Sequence, residues 1–174
     1  MISYLLTCEK TKERLEVCIS RLEAFSISPI IKNSNIDIDS KRSCFEGHLS
    51  ILKDFLETKE SHCLVMEDDC VLEEQIDYYF IESLEFDIFL LGGIEKEKGI
   101  VEKDFIRISK FLQTHCYIIS RKAANFFVEH AKFHLMEEKI DHIDFYFSKI
   151  FKDIKAPKKF IAHQDKTFIS KIPK

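Results

Sequence analysis

Cys63-Leu64-Val65-Met66-Glu67-Asp68-Asp69-Cys70-Val71-Leu72 sets a short apolar run against three consecutive acids and then a second apolar pair. Cys63 to Met66 is too short for a helix and reads as a strand covered on both faces. The acids then fall at its carboxyl end, where open α/β sheets hold their ligands. Adjacent carboxylates repel one another, and a divalent cation relieves the repulsion. Hard cations such as Mg²⁺ or Mn²⁺ take oxygen ligands and bridge carboxylates to the phosphates of a bound molecule. The triplet also fits a solvated acidic turn after a core strand, and both readings stand at this point.

Working outward, the same alternation of apolar runs and helical stripes recurs. Ile2 to Thr7 is a first strand, and Leu15, Ile19, Leu22 and Phe25 form the apolar stripe of a helix after it. Ser28 to Ile31 starts a second strand, Asn33 to Ser40 is turn-rich, and Phe45, Leu49, Leu52 and Leu56 mark a second helix. Strand, helix, strand, helix, strand is the opening of a nucleotide-binding α/β sheet. Beyond the acids, Ile76, Phe80 and Leu84 predict a helix over Glu73 to Leu84. Phe86 to Leu91 predicts a strand stopped by Gly92-Gly93, and Glu95 to Lys103 predicts a mobile loop. Phe105 to Ser109 and Leu112 to Ser120 read as extended, while Arg121 to His130 and Ile143 to Phe151 read as helices. The tail from Lys155 shows no period. The expected architecture is one three-layer α/β domain over residues 1–174.

Composition narrows the class of function. At 174 residues, with 45% hydrophobic and 32% charged residues, the chain is sized for one packed soluble domain. A net charge of -4 argues against a duplex nucleic acid partner. Six cysteines without CxxC or metal-knuckle spacing suit reduced, buried thiols. The first residues lack a basic region before a long apolar stretch, and no segment is long enough to span a membrane, so the expected location is cytoplasmic. Gly92-Gly93 lacks the lysine and spacing of a phosphate loop.

Several blocks, taken in order, resemble glycosyltransferase family 25, which includes bacterial lipooligosaccharide galactosyltransferases and procollagen galactosyltransferases. They are Ser43-Cys44-Phe45-Glu46-Gly47-His48, the strand ending in Glu67-Asp68-Asp69, and Phe86 to Gly92. Thr114-His115-Cys116-Tyr117-Ile118-Ile119-Ser120, the step at Ile140-Asp141 or Ile143-Asp144, and the closing Gln164 and Ser170 follow. Gly47 stands where that family has Ser, and Thr7-Cys8 where it has Asn-Leu. The resemblance implies a GT-A-like fold and an inverting transfer of a hexose, galactose or glucose, from a UDP-sugar to a hydroxyl on a glycan or protein. It implies that Asp69, with Glu67 and His163, holds Mn²⁺ or Mg²⁺, and that Asp144 or Asp141 is the base, with Asp87 in reserve. Donor-binding positions carried over are Asp68, His48, Arg14, Thr7 and Gln164. His163 also fits a surface histidine, His48 a core histidine, and Arg14 a solvated helix residue. A non-catalytic homologue that binds a sugar nucleotide or a partner is the alternative.

Overall fold

The computed structural model describes residues 1–35 and 39–167, so Ser170 and part of the turn-rich segment before Ser40 lie outside the described residues. The acid-tipped run is β3 (His62–Glu67), and it lies inside an eight-stranded mixed sheet. Its neighbours are β1 (Ile2–Cys8) on one side and β8 (Phe111–Ser120) on the other. β1 runs parallel to β3 and to β2 (Ile30–Ser34), whereas β8 is antiparallel to β3 and to β5 (Ile88–Glu95). β5 continues into β9 (Ile154–Ala156), β7 (Ile106–Ile108) and β6 (Ile100–Val101), giving the order β2-β1-β3-β8-β5-β9-β7-β6. The carboxyl ends of β1, β3 and β5 therefore share one edge with the amino end of β8.

Alternation along β3 explains the layers, because successive side chains leave a strand on opposite faces. Cys63 and Val65 point into a core with Phe45, Leu49, Leu52 and Phe55 of α2 (Ser40–Leu56). Phe127 of α4 (Arg121–His134) and Phe147 of α5 (Ile143–Ile150) complete that layer. Leu64 and Met66 point the other way, against Cys18 and Leu22 of α1 (Lys12–Glu23). Helix ends are satisfied locally. The Asp39 carboxylate accepts from the Lys41 and Arg42 amides at the start of α2. At its end the Arg121 guanidinium donates to the carbonyls of Phe55, Leu56 and Thr58.

Four sequence expectations are corrected. The predicted helix over Glu73 to Leu84 shrinks to α3 (Tyr78–Glu82), because the Glu73 amide is taken by the Ile161 carbonyl at 2.8 Å. The strand expected to stop at Gly92-Gly93 runs through both glycines, with register shifts on either side of Gly92. The glycine there serves close approach, since a Cβ on Gly92 would sit 2.3 Å from His115 Nε2 and 2.6 Å from the Ala162 carbonyl oxygen. The expected loop after Glu95 contains β6, paired with β7. The tail contributes β9 and also β10 (Ala162–Gln164), which pairs antiparallel with β4 (Cys70–Leu72) just past the acids. Short strands carry too few residues to display a period.

Candidate active site

The acidic turn is stitched down on both sides. The Asp68 amide donates to the Leu6 carbonyl of β1 at 3.0 Å, and the Asp69 carbonyl accepts from the Asp165 amide, just past β10, at 2.7 Å. The three carboxylates consequently have three different surroundings. Asp68 is buried: it accepts from the Thr7 hydroxyl at 2.7 Å, from the Thr11 hydroxyl and from the Arg14 guanidinium. It therefore anchors Arg14 beside the other two acids. Although burial works against the Arg14 charge, Asp68 and Asp69 hold its pKa above the ordinary arginine value.

Asp69 accepts from Gln164 Nε2 at 2.7 Å through one oxygen, and Arg14 lies 3.9 Å from that same oxygen. Its other oxygen, Oδ1, is buried with no hydrogen-bond partner. Burial, followed by the negative charge of Glu67, pushes the Asp69 carboxyl up to about 6. Glu67 accepts from the Thr114 hydroxyl at 2.8 Å and faces His48 Nε2 at 3.4 Å. Burial pushes its carboxyl up, but His48 and Thr114 more than offset this and hold it below the ordinary glutamate value. His48 itself is fully buried, with Nδ1 2.9 Å from the Tyr117 hydroxyl.

A chain of contacts leads from this turn to the carboxylate at the start of α5. Gln113 Nε2 donates to Gln164 Oε1 at 2.9 Å, and Gln164 in turn donates to Asp69. The Gln113 amide donates to Asp144 Oδ2 at 2.8 Å, while Asp144 Oδ1 accepts from the Phe145 amide. Gln113 adopts φ 70, a left-handed conformation unusual for a side-chain-bearing residue and characteristic of sites that spend strain on geometry. One residue thus serves both carboxylates.

Two clefts open beside the turn. The first is lined by Thr7, Cys8, Arg14, Ser34, Ser43 and Cys44, with Glu67 and Asp68 at its base. The second, of about 610 Å³, is lined by Gly93, Gln113, His115, His163, Gln164 and Thr167. Thr7, Arg14, His48, Glu67, Asp68, Asp69 and Gln164 are thus brought together at one sheet edge, with Asp144 joined to them through Gln113. His163 is not among them: it neighbours Gln164 on β10, so its side chain leaves on the opposite face, half-exposed, 3.4 Å from Glu73. Asp141 pairs with Lys149 at 2.5 Å on the surface. Asp87 lies before β5 at the opposite sheet edge, where it accepts from the Lys152 and Asp153 amides. Sequence reading gave no site role to Thr11, which it took only as the opening of α1, nor to Gln113 or Thr114. Thr11 sits one turn before Arg14 and Thr114 heads a block already singled out, so spacing carried a signal for both.

The chain shares its architecture with several solved structures. A197 from STIV aligns over 100% of this chain and 99% of that one, with a TM-score of 0.57 and 15% identity. A glycosyltransferase involved in the glycosylation of the major capsid of PBCV-1 aligns over 97% and 95%, with a TM-score of 0.57 and 8% identity. The fold is GT-A-like. The galactosyltransferase LgtC, solved with donor and acceptor sugar analogs, aligns over 95% and 87%, with a TM-score of 0.53 and 8% identity. No protein-family model and no curated protein matches the sequence. Among the described residues no helix is long and apolar enough to cross a membrane.

Proposed function

We propose that this chain is a metal-dependent glycosyltransferase of the family 25 kind, transferring galactose or glucose from a UDP-sugar to a hydroxyl on a glycan or protein, with inversion. The observation that carries the reading is Asp69 Oδ1: a buried carboxylate oxygen with no partner, just past a strand's carboxyl end and beside two more acids that line a cleft. A buried unpaired acceptor is costly unless something completes it. A hard divalent cation fits, because it takes carboxylate oxygens and lowers the pKa that Asp69's neighbours raise. Asp69 would hold Mn²⁺ or Mg²⁺, with Glu67 as the second carboxylate. The cation would neutralise the departing diphosphate as a Lewis acid.

The protein's own residues supply the rest. The cleft lined by Thr7, Ser34 and Cys44 would receive part of the donor nucleotide. Arg14, fixed by Asp68, presents a guanidinium to the diphosphate. The cleft beside Gln113 and Gln164 suits the acceptor. Asp144, whose two oxygens accept from the Gln113 and Phe145 amides, would take the acceptor's hydroxyl proton. Calorimetry with UDP and Mn²⁺ tests the reading: cation-dependent binding in the wild type and its loss in Asp69→Asn support it, and no cation-dependent UDP binding in the wild type overturns it. A screen for UDP release across donor sugars separates turnover from binding alone.

A further inference from the structure

Beside the acids lies a buried histidine nitrogen that the proposed Asp69 site does not use. His48 is fully enclosed, yet its Nε2 has no hydrogen-bond partner. That atom faces Glu67 Oε1 at 3.4 Å, longer than the roughly 2.9 Å of an ordinary N–H···O bond. Cys44 lies one turn earlier on α2, and residues four apart share a helix face. Ligand atoms of Cys44, His48 and Glu67 all lie within 4.8 Å of one another.

We propose that Cys44, His48 and Glu67, the last a carboxylate common to this site and the one proposed at Asp69, form a second cation site, for a borderline-soft divalent ion of the zinc class. One sulfur, one imidazole nitrogen and one carboxylate oxygen make a donor set that zinc accepts and that Mg²⁺ and Mn²⁺ do not favour. Zinc–nitrogen and zinc–oxygen bonds set at a tetrahedral angle place the two ligand atoms about 3.3 Å apart, close to the observed 3.4 Å. A supporting contact is in reach: with Nδ1–H donating to the Tyr117 hydroxyl, 2.9 Å away, His48 would leave its Nε2 lone pair to the ion. Three protein ligands leave a fourth position open. Cys44 and Glu67 both line the cleft, so that position faces whatever binds there, such as a phosphate or hydroxyl oxygen. Sequence spacing hides the site because Cys44 and His48 reach their third ligand only through the packing of α2 on β3.

Co²⁺ is the probe, used on metal-free, reduced, full-length protein. One equivalent should produce a thiolate-to-cobalt charge-transfer band that Zn²⁺ then abolishes by displacement. Cys44→Ser should lose the band while keeping the wild-type circular dichroism spectrum, and Asp69→Asn should keep it. Tyr117→Phe, which removes the positioning hydroxyl, should weaken Co²⁺ binding about 10- to 100-fold. Absence of the band in folded wild-type protein overturns the proposal, as does a band that survives in Cys44→Ser; the first result would assign Nε2–H to a long contact with Glu67. The band reads the Cys44 thiolate and Mn²⁺-dependent UDP binding reads Asp69, so the two readings fail separately.

Discussion

Asp69→Asn is expected to stabilise the cation-free protein while abolishing cation binding, and the size of the effect follows from the site. Burial and Glu67 move the Asp69 carboxyl from 3.8 to about 6. A rise of roughly two pKa units corresponds to about 3 kcal/mol of preference for the neutral form in the folded state. The folded pKa is the raised one, so this contribution is fully present below about pH 4 and is lost as pH rises through about 6. Above pH 7 the wild type therefore carries the whole penalty, and asparagine, which cannot ionise, carries none. At this chain length 1 kcal/mol moves the melting temperature by about 2–4 °C, so the variant should melt roughly 6–12 °C higher at pH 8 and near the wild type at pH 4. Mn²⁺ should close the gap at pH 8 by stabilising only the wild type. Melting curves followed by circular dichroism from pH 4 to pH 8, with and without Mn²⁺, make the test. Melting temperatures that run parallel across this range, or a variant less stable at pH 8, would refute the electrostatic account.

Three further outcomes follow from the same geometry. Arg14→Gln strands the buried Asp68 carboxylate with only the Thr7 and Thr11 hydroxyls, and should cost about 3 kcal/mol in urea denaturation with an unchanged slope. Asp144→Asn should lower kcat by a factor of about 10²–10⁴ with UDP affinity unchanged, whereas Asp141→Asn, which removes only an exposed pair with Lys149, should leave kcat within about twofold. Gly92→Ala forces a methyl against His115 and the Ala162 carbonyl, and should destabilise by about 1–3 kcal/mol in the same denaturation assay.

The parts of the fold that were legible in the sequence are those whose signal is local. Cys63 to Met66 announces a doubly covered strand because both faces are apolar, and Leu15, Ile19 and Leu22 announce a helix by their spacing. The β4–β10 pair was not legible, since three-residue strands have no period and β10 owes its existence to the backbone groups left open beside Asp69. Gly92 shows the same limit: a glycine that ends a strand and one that admits a neighbouring imidazole look alike until His115 is seen to pack against it. At the site, the cluster of acids was readable from residue type and order, while Arg14 entered only through the family resemblance. The division of labour between Asp68 and Asp69 was not, because it depends on Thr7, Thr11 and Gln164 arriving from separate elements. His163 and Gln164 were singled out together, yet strand alternation admits only one of them to the acids.

Asp69 and Gln164 are 95 positions apart, and between them lie five of the eight strands of the sheet. During synthesis from the ribosome, the turn with its three carboxylates emerges long before the segment that clasps it. Until Ala162 to Asp165 follow, Oδ2 and the main-chain carbonyl of Asp69 have nothing from that segment to hold them. Competence at this edge is therefore acquired late, after the hydrophobic layers have had the opportunity to close. A nascent chain halted before residue 162 would carry the acids without the clasp.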